Sequence, residues 1–336
     1  MQEYMNLFID KEYPTFLDKY FSTKTLKRLK YVTQFCGADY TKLYSPTCLY
    51  TRYDHSIVVA HMTWHFNHDK VATIVALLHD VGTPCFAHTI DYVFGDYMNQ
   101  ESSERDILDM IKKDVTLLKY LEEDNVTLDS FSDIAKFPIL ENKSPKLCTD
   151  RLDGVLHTCY IWLHTHPLED IAEVYQDMAV LINENGREEI GFRHKRIATK
   201  FCKMVYVYAK ELWSNRSKYV SKYVSEIVKL AVEEEKITLD DLYTKKEVEI
   251  VSIFKKTFSS WNLFEDATCI MGSEEEPSFF SISFLAKKRN VIPLVQVRKS
   301  SMRICDTSII AKNIYNQLEQ YQDYKYGFVE SIKEIC

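Results

Sequence analysis

Apolar residues recur every three or four positions along most of this chain, the spacing of helices that bury one face. Val71, Ile74, Val75 and Leu78 form the densest such run and predict a helix over 71–80 that ends on His79-Asp80. Leu26, Leu29, Val32 and Phe35 predict an earlier helix, capped by Ser22 or Thr23 and ending near Cys36-Gly37. Residues 52–68 predict a helix with Ile57, Val58 and Met62 facing inward, and another follows the Gly82-Thr83-Pro84 turn, near 86–96. Ser103 with Asp106 reads as a capping box for a helix carrying Ile107, Leu108, Ile111 and Val115. The polar stretch 122–146 predicts mostly loop, followed by helices over 147–164 and 168–183; the latter places Ile171, Val174, Tyr175, Met178 and Ile182 on one face. Asn183-Glu184-Asn185-Gly186 breaks the chain before the clearest amphipathic pattern, Ile197, Phe201, Met204, Val205, Tyr208 and Leu212. A four-residue repeat then stacks Tyr219 over Tyr223, as packing or as a subunit contact, and a further helix covers 237–255.

After about residue 258 the pattern changes. Val291-Ile292-Pro293-Leu294-Val295-Gln296-Val297 reads as extended, with Pro293 confining it to a sheet edge, and a last helix runs from Asp306 or Thr307 to about Gln322. The expectation is a mainly α fold with a small C-terminal β element: a helical core over 1–258 and an α/β extension over 259–336 packed on it.

Composition narrows the function classes. Glycine and proline number eight each in 336 residues, which disfavours a turn-rich β protein. Nine cysteines without CxxC spacing suit reduced thiols in a cytoplasmic protein better than a disulfide frame or zinc cluster. A net charge of −7 offers no global field for duplex nucleic acid. No apolar run approaches the roughly 20 residues that cross a bilayer, and the N-terminal stretch lacks a secretory leader's apolar segment. No glycine-rich phosphate loop occurs. A soluble protein with no membrane partner is expected.

The candidate chemistry is concentrated between Asp54 and Asp91, where six of the ten histidines fall. An imidazole and a carboxylate at the end of the buried 71–78 run are costly to bury unless satisfied. Neighbouring backbone at a helix end could satisfy His79 and Asp80; so could a divalent metal.

The flanking motifs, Thr51-Arg52-Tyr53-Asp54-His55-Ser56 upstream and Asp150-Arg151-Leu152-Asp153 downstream, resemble those of the HD-domain metal-dependent phosphohydrolases. The family's H…HD…D pattern falls on His55, His79, Asp80 and Asp150. The Arg-aromatic-acidic tripeptide Arg52-Tyr53-Asp54 is most similar to the deoxynucleoside triphosphate triphosphohydrolase branch. The resemblance covers roughly 22–160 well and the C-terminal half loosely. It implies a helical HD-domain fold and one divalent metal on those four ligands. By ligand type, two imidazoles and two carboxylates suit Mn²⁺, Fe²⁺, Co²⁺ or Zn²⁺ better than Mg²⁺. It further implies His88 and Asp91 as a catalytic pair, Arg52 and Arg151 as phosphate contacts, a nucleotide substrate and a homo-oligomer. An aspartate at i+3 favours a protonated His88, as a general acid needs.

The chain departs from its relatives at four places. Thr83 stands where several have a second histidine, Gln100 where some have another, Gly154 in place of an aromatic residue, and Thr158 in place of an aspartate that holds the sugar. The metal and phosphate parts carry over, and recognition of a deoxyribose does not. The first expectation is therefore a nucleoside triphosphate cleaved at the α-phosphate. The alternatives are a phosphodiesterase or monophosphatase on another, possibly cyclic, nucleotide, and a regulator that binds nucleotides without turnover. His61, His65 and His68 share a helical face that reads as solvated or as an interface. His157 approaches the pocket, and Arg193, Arg196 or Lys200 either reaches a bound triphosphate or forms a solvated basic edge.

Overall fold

The computed structural model describes residues 1–96, 107–285 and 289–336, and it is mainly helical with two small sheets, as the periodicity implies. The Ser103–Asp106 capping box and Gln100 lie outside the described residues.

After α1 (Gln2–Asn6), the run predicted as one helix to Gly37 gives only α2 (Lys24–Arg28) and a 3-10 turn. The backbone becomes extended at Val32, where Thr33 bridges Thr51 and the Val32 carbonyl accepts from Arg52 N–H at 2.9 Å. β-branched Val32 and Thr33 favour that extended path. The bridge also sets the start of α3 (Arg52–Asn67), where Thr51 and Asp54 form a reciprocal capping box. Two residues later α4 (Lys70–Leu78) begins, capped by Asp69 and buried from Ala72 to Leu78. α3 lies between two hydrophobic cores: Val58 and Met62 enter one, Val59 and Ala60 the other. Its N-terminus is therefore deep in the molecule.

The helix predicted near 86–96 is instead a 3-10 turn, Ala87–Tyr92, preceded by a left-handed Phe86. Cys85 N–H and Phe86 N–H are already taken, by the Leu242 carbonyl and by Glu247. α5 (Ile107–Lys112) and α6 (Val115–Glu123) close over α4. α7 (Thr149–His157) continues into one π-helical turn, Thr158–Trp162.

The predicted 168–183 helix divides. α8 (Leu168–Gln176) stops, and Met178-Ala179-Val180-Leu181-Ile182 becomes β1 (Met178–Ile182), paired antiparallel with β2 (Glu188–Phe192). Gly186, at φ +71°, turns the hairpin. Then come α9 (Lys195–Trp213), α10 (Asn215–Glu233), α11 (Asp241–Thr244), α12 (Glu247–Thr257), α13 (Ser259–Asp266), β3 (Met271–Ser273), β4 (Leu294–Val297), β5 (Ser300–Arg303), α14 (Ile304–Thr307), α15 (Ile309–Gln320) and β6 (Tyr326–Phe328). The cap of α15 is Ser308, not Asp306 or Thr307, and the helix ends at Gln320. Tyr219 and Tyr223 do stack, 6.2 Å apart, inside the core.

β4 is interior, not an edge. The strand order is β1-β2-β4-β5, with β2 and β4 parallel, and Pro293 sits one residue before β4, where its missing N–H costs no ladder bond. This sheet draws strands from both sides of residue 258. Arg303 at the end of β5 clasps it: Nη1 donates to buried Glu189 at 2.6 Å and Nη2 to Glu184 at 2.8 Å. Glu189 in turn accepts Leu147 N–H at 3.2 Å, just before α7.

Candidate metal centre

Three helix ends converge. The first turn of α3 brings Arg52 and His55, the residues just past α4 are His79 and Asp80, and the first turns of α7 bring Asp150 and Asp153. His55, His79 and Asp80 offer ligand atoms within 4.8 Å of one another. Asp150 Oδ1 lies 3.1 Å from His55 Nε2 and 3.7 Å from His79 Nε2, so all four predicted ligands meet.

His79 Nδ1–H donates to the Ala76 carbonyl at 2.7 Å. That hydrogen bond makes Nδ1 the donor and turns Nε2, buried and without a hydrogen-bond partner, toward Asp150 at 3.7 Å and Asp80 at 3.9 Å. Burial opposes charge on the ring, but the two carboxylates raise its pKa. A buried, unpartnered ring nitrogen beside two carboxylates and a second imidazole fits a metal ion, which would take the place of a proton there. The neighbouring electrostatics point the same way. Burial opposes a charged His55, but hydrogen bonds to Asp150 and Asp153 overcome it and push the imidazole up to about 10. Burial also opposes charge on Asp80, yet Arg52 beside it, Nη1 to Oδ2 at 2.7 Å, holds the carboxyl well below the usual range. The cluster demands positive charge at its centre.

A second group, His55, Asp153 and His157, also brings possible ligand atoms together. Asp153 is fully buried and its oxygens are committed. Oδ1 accepts from Tyr4 Oη at 2.6 Å, and Oδ2 from Tyr50 Oη at 2.9 Å and from His55 Nδ1 at 2.6 Å. His157 approaches as expected, but its Nδ1 donates to the Asp153 carbonyl at 2.8 Å. Asp153 is thus the carboxylate that orients His55, leaving Nε2 to face Asp80 and Asp150. Sequence reasoning missed this role, although Asp153 follows Asp150 by one helical turn. Asp153→Asn should keep the fold and weaken metal affinity by about 10–100-fold. A competitive chelator titration reads this; unchanged affinity would remove Asp153 from the site.

His88 Nδ1 and Asp91 Oδ2 are 3.3 Å apart, with Asp91 fully buried. Burial first, then Arg289 and Arg52, push His88 down to about 4 against the pull of Asp91, so the expected protonation does not hold at pH 7 in the structure as it stands. No motif in the sequence marks Arg289. It hydrogen-bonds Tyr208 of α9, whose hydroxyl would lie 3.8 Å from a Cβ at Gly154. Tyr208 thus brings an aromatic side chain beside Gly154 from another helix. Thr83 donates to Asp80 Oδ1 at 3.2 Å. Arg151 is turned to the loop before α7, on Glu141 at 2.9 Å and the Lys146 carbonyl at 2.9 Å.

Three cations and three histidines lie elsewhere. Arg193 donates to the Gln176 carbonyl, Arg196 to Glu173, and Lys200 to Asp170 and Glu173, joining α9 to α8. The His61, His65 and His68 face is covered by the N-terminal arm, not solvated throughout: His61 packs on Tyr13, and His65 bonds Asp10 at 2.7 Å.

Fold and site define a mainly helical protein with a buried histidine and aspartate group that could hold a metal ion; among the described residues, no helix is long and apolar enough to cross a membrane. No family model matches the chain. It is similar to the uncharacterized protein YdhJ of Bacillus subtilis (strain 168), at 26% identity over 214 residues, or 61% of this chain, and it spans 61% of that relative's length. A hypothetical protein from Aquifex aeolicus, solved by crystallography, shares the fold, with TM-score 0.58 and 15% identity over 93% of this chain and 91% of its own.

Proposed function

We propose that this protein is an HD-type metal-dependent phosphohydrolase acting on nucleotides, with a (deoxy)nucleoside triphosphate cleaved at the α-phosphate as the leading substrate. The observation that carries the reading is the unpartnered His79 Nε2 at the meeting of two imidazoles and two aspartates. His55, His79, Asp80 and Asp150 would hold one divalent ion, with Mn²⁺, Fe²⁺, Co²⁺ or Zn²⁺ preferred over Mg²⁺ by donor type. Such an ion supplies Lewis-acid activation of a phosphoryl group and of water.

The chain's own residues do the rest. Arg52 is fixed by Asp80 at the rim of the centre and Arg289 acts on His88, so two guanidiniums flank the place a polyphosphate would occupy. His88, 3.3 Å from Asp91, would deliver a proton to a leaving oxygen once a bound anion favours its charged form.

A metal-supplemented assay over a nucleotide panel tests this. Triphosphate should leave whole, so orthophosphate should appear only when a polyphosphatase is added. Orthophosphate without the helper enzyme would favour a monophosphatase or, after a diester is cleaved, a phosphodiesterase paired with one. A second reading, binding without turnover, is favoured by one observation: Thr83, in place of a proton-carrying histidine, spends its hydroxyl on Asp80.

A further inference from the structure

Between Asp80 and His88 the chain makes a turn that side chains disfavour. Phe86 and Ala87 are consecutive non-glycine residues with φ of 61° and 46°, in the left-handed region. Such a turn persists only where its surroundings over-determine it, and here they come from α11 and α12. Cys85 N–H donates to the Leu242 carbonyl at 2.8 Å, and Phe86 N–H donates to Glu247 Oε2 at 2.8 Å. The buried Phe86 ring stacks on Phe254.

Glu247 has no solvent exposure. Its Oε1 accepts from Thr33 at 3.1 Å and from Tyr40 at 3.2 Å, and Thr33 also reaches Asp39 at 3.2 Å. The metal centre makes no use of this acid. We propose that Glu247 is a positioning residue: by accepting the Phe86 N–H it fixes the left-handed turn that carries His88 to the metal centre. The inference rests on the reading of His88 as the residue that acts on substrate.

The protonation of this acid follows from its surroundings. Burial, then Asp39, pushes Glu247 up to about 8, and burial pushes Asp39 up to about 6. The other titratable groups around the pocket are Tyr40, Cys36 and Cys85. Arg28 and Glu249 act on Cys85, Arg52 and Arg289 act on Cys36, and Lys246 turns outward over Tyr31. A carboxyl raised from 4.5 to about 8 on folding holds a proton that the unfolded chain has lost between those values. Its contribution to stability is full at low pH and declines as pH rises through that window.

The test uses full-length protein with labelled histidines. The His88 resonance is assigned by its loss in His88→Ala. It should move in Glu247→Leu, which removes the acceptor, and stay in Glu247→Gln, whose amide oxygen keeps it. Both variants should retain their metal, and Glu247→Gln should lose the stability decline above pH 4.5. Turnover in Glu247→Leu should fall by about 10²-fold, the scale of an ångström-sized misplacement, with KM little changed and activity restored by glutamine. If Glu247→Leu does not fold, Glu247→Met, which keeps the length of the side chain and likewise lacks the carboxyl oxygen that accepts Phe86 N–H, is read in its place. An unmoved His88 resonance in the folded variant overturns the proposal. The resonance requires no substrate, so a parent that turns over no nucleotide refutes the proposed activity and leaves this outcome legible.

Discussion

The parent chain should carry close to one divalent ion per molecule, and Asp80→Ala should release it. Asp80 supplies one of four ligand groups, and an underligated buried site binds weakly. The substitution also takes from Arg52 the carboxylate 2.7 Å away, where the pair has less than a tenth of its side-chain surface exposed. Removing one partner of a buried pair costs roughly 3–5 kcal/mol, so the melting temperature should drop as well. Asp80→Asn separates the two effects, because its amide oxygen still accepts from Arg52 while the charge that draws the metal is gone. Elemental analysis decides: full metal content in Asp80→Ala would end the four-ligand assignment.

His88→Ala should keep metal and substrate affinity while turnover falls by about 10²–10⁴-fold, the usual worth of a positioned general acid. Asp91→Asn should show a milder form of the same defect. Burial and Arg289 hold His88 down to about 4, so the acid form needs an anion beside it. A polyphosphate bound there would supply that charge and offset Arg289 and Arg52, raising the pKa of the imidazole toward about 7. The rate of the parent should therefore fall as pH rises past this raised value, and His88→Ala should lose that limb. Turnover within a few-fold of the parent would make His88 a bystander.

The meeting of His55, His79, Asp80 and Asp150 was legible through the resemblance to the H…HD…D pattern, with the apolar helix running into His79-Asp80 as its local mark, and the four side chains do come to one place. What was not legible depends on tertiary partners. Asp153 looks like any helical acid until Tyr4, from 149 residues away, donates to it. Arg289 lies outside every motif and reaches the site through Tyr208. Arg151 stands where the resemblance implies a phosphate contact, but the Glu141–Lys146 loop claims its guanidinium.

The fold has the same division. Ile171, Val174, Tyr175, Met178 and Ile182 suit one helix by spacing, and only the pairing of Met178 with Phe192 turns the last of them into a strand. Helical periodicity is a property of a segment, and strand pairing is not.

The Arg303 clasp gives the last strand of the sheet leverage over the first turn of α7. Tension on β5 passes through the guanidinium to Glu189, from Glu189 to the Leu147 amide, and from there three residues along the chain to Asp150. The train has few joints, and most of it is buried. Every predicted ligand lies within the first 258 residues, but the brace that keeps Asp150 in tune is anchored 45 residues beyond them.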